Sequence, residues 1–79
     1  MTKTELQQRF KLLGSVLYHS RDRGYFSSGQ RTCLNMERSA IIRAINHIEL
    51  DGKETAKPSY TIPEHLEVKC KQVITDFKI

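Results

Sequence analysis

The chain has no tryptophan, only two cysteines, two prolines and four glycines in 79 residues, and no long hydrophobic run. Two isolated cysteines, Cys33 and Cys70, exclude a disulfide-dense scaffold and the paired Cys-x2-Cys spacing of structural zinc sites. Spacing leaves a Cys33–Cys70 disulfide open, yet nothing in the sequence points to an oxidising compartment. No stretch approaches the ~20 apolar residues of a membrane span, and the amino terminus lacks the apolar core of a signal peptide. The expectation is a soluble, cytoplasmic protein with no membrane contact. Doubly wound and barrel enzymes need on the order of 200 residues, so those architectures are excluded as well. Hydrophobic residues make up 38% of the chain. A core this thin rarely supplies more than about 3–5 kcal/mol, so a ligand, a partner or a homodimer is expected to complete it.

Charge is not scarce but is unevenly placed. The formal net charge is +4. Met1 to Thr32 carries Lys3, Arg9, Lys11, Arg21, Arg23 and Arg31 against Glu5 and Asp22. From Cys33 onward, bases and acids balance, so the entire excess lies in the first 32 residues. Such asymmetry points to an acidic partner: nucleic acid, a nucleotide or an acidic protein surface. The plainer reading is that the charge keeps a small protein soluble.

Periodicity predicts three helices in a single small domain spanning residues 1–79. The first covers about 3–20, opened by a Thr2/Glu5 capping box, with Leu6, Phe10, Leu13 and Leu17 on one face. Val16 and Tyr18 widen that stripe, and Gln8, Lys11, Ser15 and His19 form the solvated line. Gly14 inside it costs roughly 1 kcal/mol relative to Ala and marks either a close approach or a weak spot. The second helix is predicted over about 35–50, capped by Asn35, with Met36, Ala40, Ile41, Ala44, Ile45 and Ile48 on its apolar side. The third covers about 62–77, with Thr61 as cap and Leu66, Cys70, Val73 and Phe77 facing inward, Val68 outward. The fold class is all-α: a small three-helix bundle, or a helical hairpin plus a third helix that completes its core by dimerising.

The segment 21–34, between the first two helices, is read as a long Arg-rich loop. Its Arg21, Arg23 and Arg31 offer planar forks suited to phosphate, and Gly24 and Gly29 let backbone amides approach an anion. Tyr25 and Phe26 between the arginines suit base stacking. The alternative has both aromatics folding back to close the core. With Arg9 and Lys11 from the adjoining helix, these residues make the predicted ligand-binding set.

Other chemistry finds less support. A helix-turn-helix would put Arg38, Arg43, Asn46 and His47 against DNA, but the preceding loop is too long for that motif's turn and Glu37 repels phosphate. His65 and Cys70 diverge by about 140° on their helix, so no metal site is predicted. Ser15 and His19 share a face without a third orienting group, and no oxyanion arrangement is readable. The expectation is a non-enzymatic binding module with no cofactor, engaging nucleic acid or a phosphate-bearing ligand. The alternative is a small regulator or inhibitor docking on an acidic surface of another protein.

Overall fold

A computed structural model describes residues 1–79. Three helices run in chain order, α1 (Lys3–Ser20), α2 (Ser28–Asp51) and α3 (Glu64–Phe77). No strand forms; a lone antiparallel bridge joins Thr2 and Thr55. The chain is a small all-α three-helix bundle measuring 40 × 24 × 19 Å.

The stripes of α1 and α3 bury as their spacing requires, except that Tyr18, expected to widen the α1 stripe, turns outward near the end of the helix. Leu6, Leu13, Val16 and Leu17 from α1 meet Leu66, Cys70 and Val73 from α3, with Leu34, Ile41 and Ala44 from α2. The Thr2/Glu5 capping box opens α1. Its hydrogen bonds from Thr2 hold the Glu5 carboxyl below the usual range. Val68 faces outward, as its helical angle dictates.

The second helix begins a full two turns earlier than Asn35. Ser27 is the N-cap: its hydroxyl accepts from the Gln30 amide, and the Gln30 side chain accepts from the Ser27 amide. This reciprocal pair satisfies two orphan donors at the helix start and nucleates the extra turns. The connection between α1 and α2 therefore shrinks to Arg21–Ser27, and Arg31 becomes helical. Gly24 in this loop and Gly52 after α2 both adopt positive φ, at 72° and 68°.

One further boundary differs, and so does the facing of one α2 residue. Pro63, not Thr61, caps α3, and it supplies no side-chain hydrogen bond. Its carbonyl instead accepts the amides of Leu66 and Glu67. On α2, Met36 lies half-exposed, and its neighbour Glu37 turns inward instead. The cause is electrostatic, because a guanidinium from α1 awaits Glu37 in the interior.

Candidate functional site

The charges of the amino-terminal half divide into those consumed by the fold and those left on the surface. Arg9 belongs to the first group. Its Nε lies 2.7 Å from Glu37 Oε2, and its Nη2 lies 2.7 Å from Glu67 Oε2. One side chain of α1 thus ties both other helices. Glu37, only 2% exposed, also accepts the Ile62 backbone amide at 2.8 Å. Burial works against the Arg9 charge, but its hydrogen bonds to Glu67 and Glu37 outweigh it and raise the guanidinium pKa. The same contact lowers the Glu67 carboxyl. Arg9 is therefore occupied by the fold.

Arg31 is likewise turned inward, donating from Nη2 to the Leu17 carbonyl at 3.1 Å near the end of α1. A cation there satisfies an orphan carbonyl and complements the helix dipole. Tyr25 and Phe26 pack, half-buried, against the core. The Tyr25 hydroxyl donates to Asp76, a contact that raises the phenol pKa, and its carbonyl accepts from Lys69 Nζ at 3.1 Å. Both aromatics thus fold back against the core and stay half-exposed.

Arg21 and Arg23 remain exposed. The Arg21 guanidinium sits 4.3 Å from the centroid of the Tyr18 ring, and Arg23 sits 5.6 Å from that of Phe77. The His19 ring stacks on Phe77 with 5.3 Å between centroids and 28° between planes. Tyr18 meets His19 edge-on. Together with Asp22 these residues line an open cleft of about 330 Å³ at the junction of α1, the first loop and the end of α3. The one nearby acid, Asp22, lies 3.5 Å from Arg21 Nε and is highly exposed, so it neutralises little. Cation–π attraction holds each guanidinium over its ring without using its N–H donors.

Four members of this cleft, Tyr18, His19, Asp22 and Phe77, lie outside the predicted ligand set. Periodicity places Tyr18 on the apolar stripe, Phe77 in the core and His19 on the solvated line. One signal was available: Tyr18 and Arg21 have the i, i+3 spacing that brings side chains together on a helix. The Phe77 contact had none, because it depends on how α3 packs.

Lys11 sits elsewhere, in a groove between α1 and α2 lined also by Thr4, Gln7, Gln8, Phe10 and Ile45. No group of three or more His, Cys, Asp or Glu side chains could hold a metal ion. Cys33 and Cys70 are both free thiols, and burial pushes the Cys70 thiol up to about 11. No helix is long and apolar enough to cross a membrane. Comparison with protein-family models, curated proteins and solved structures finds no match to this chain.

Proposed function

We propose that this chain is a non-enzymatic binding module whose first loop takes a phosphate-bearing ligand, single-stranded nucleic acid above all. The observation carrying this reading is the pair of guanidiniums, Arg21 and Arg23, each laid over an exposed or half-exposed aromatic ring around one cleft. Single strands are held by such combinations: cations track the backbone while aromatic faces stack bases without regard to sequence. Tyr18, 60% exposed, is the stacking surface, and the charge excess of residues 1–32 supplies long-range attraction.

The test is fluorescence anisotropy with a labelled single-stranded oligonucleotide across a salt series. Two phosphate contacts predict a slope of log affinity against log salt near −1.4, at about −0.7 per phosphate. Arg21→Ala with Arg23→Ala abolishes the salt dependence, and Tyr18→Ala costs about 1–3 kcal/mol of binding. Absence of binding to DNA, RNA or nucleotides at low salt overturns the reading. A second reading, docking on an acidic protein surface, is favoured by a different feature, the groove between α1 and α2.

A further inference from the structure

The antiparallel packing of α1 on α2 has a fixed register. Lys3 pairs with Glu49 at 2.8 Å, and Gly14 lies against Arg38, so each pair's positions sum to the same value. This register sets Gln7 opposite Ile45 and Phe10 opposite Ile42. Phe10 and Ile45 line the groove on this seam, and Ile42 stands beside Ile45 at i, i+3 on the exposed edge of α2. Ile42 is 46% exposed, and Phe10 and Ile45 are half-buried. The depression beside them has a volume of about 450 Å³.

Arg38 closes one end of the seam in an unusual state. Its guanidinium lies 4.1 Å from the Phe10 ring centroid and close against Gly14. A Cβ at position 14 would stand 3.0 Å from Arg38 Nη2. Its Nε is buried without a hydrogen-bond partner, and no carboxylate pairs with the side chain. Lys11, on the opposite wall, is also unpaired. The one acid on the seam, Glu49, is taken by Lys3 at its far end. An apolar floor flanked by two unneutralised cations is complementary to an amphipathic segment whose polar flanks are acidic.

We propose that the α1–α2 seam docks an acidic amphipathic helix of another protein. Its apolar residues cover Phe10, Ile42 and Ile45, and its carboxylates reach Arg38 and Lys11. This rests on the protein-docking reading and is independent of the loop cleft. The seam from Gln7 to Gly14 spans roughly 10 Å, so it accommodates about two turns of the incoming helix.

The probe is a synthetic peptide of about five turns, with Leu along one face and Glu on both flanks, titrated into the isotopically labelled protein. A scrambled peptide of equal composition separates amphipathicity from bulk charge. The expected result is micromolar binding by the amphipathic peptide, with amide shifts centred on Phe10, Arg38, Ile42 and Ile45. Arg38→Gln and Ile42→Ser each weaken it roughly tenfold while leaving the unpeptided spectrum folded. The Arg21→Ala, Arg23→Ala double variant binds the peptide unchanged, so this result stands whether or not the cleft binds nucleic acid. Equal binding by the scrambled peptide, shifts confined to the first loop, or a concentration-dependent dimer whose contacts map to the seam would each overturn the proposal.

Discussion

Glu37 is the residue whose role depends most on its surroundings. Alone, an interior carboxylate is expensive; here it meets Arg9 on one side and the Ile62 amide on the other. Removing one member of a buried ion pair leaves the other charge stranded, which costs about 3–5 kcal/mol. Arg9→Ala is therefore expected to take most of the stability of so small a domain, seen as a large fall in the urea midpoint. A change of less than 1 kcal/mol would show that Glu37 finds water instead. Glu67 gives the same network a pH dependence. Its folded pKa is depressed by Arg9, so its stabilisation is complete above the unfolded carboxyl range and fades as pH falls through the folded value. Melting temperature should hold between pH 6 and 8, within the ordinary carboxyl-ionised range, and decline below about pH 4.5. Glu67→Gln should flatten that acid slope.

At the scale of elements, the helix starts distinguish local from tertiary causes. Ser27 and Gln30 cap α2, whereas Asn35 lies within it and is exposed. Ser27→Ala should cost about 1 kcal/mol, and Asn35→Ala should be neutral or slightly stabilising, as Ala is the better helix former. Equal losses from both would restore the later start. The three helices, their inward stripes and the outward Val68 were legible in the sequence, because burial follows the 3.6-residue period directly. The first two turns of α2 were not. Gln30, Arg31 and Thr32 carry no apolar signal, and only the Ser27-x-x-Gln30 spacing marked the start. Arg9 looked like a surface base because its two carboxylates lie 28 and 58 residues away. No local rule reaches that far. At Gly14 the sequence left a close approach and a weak spot as alternatives; the Arg38 guanidinium, rather than another backbone, lies against it.

On the scale of the whole molecule, α1 is the central strut, packed against both α2 and α3. The two proposed surfaces lie on its two sides: the α1–α2 seam along one flank, and the cleft at its carboxyl end beside α3. Of the predicted ligand set, the cleft keeps only Arg21 and Arg23, while Arg9 and Arg31 serve the fold and Lys11 moves to the seam. A charge excess located by sequence thus separates into three different fates, which composition could not reveal.

The tether between the first loop and α3 has a consequence for timing. Lys69, Asp76 and Phe77 hold or line the Arg21–Ser27 segment, and all three belong to the last helix. A helical hairpin of α1 and α2 has its seam as soon as those neighbours meet, but it has no cleft. The cleft comes into being only when the end of the chain arrives, so occupancy there reports completion of the fold. By the same linkage, a ligand present at 100 times its dissociation constant would hold α3 in place with about 2.7 kcal/mol. Loss of α3 from its dock would release that ligand.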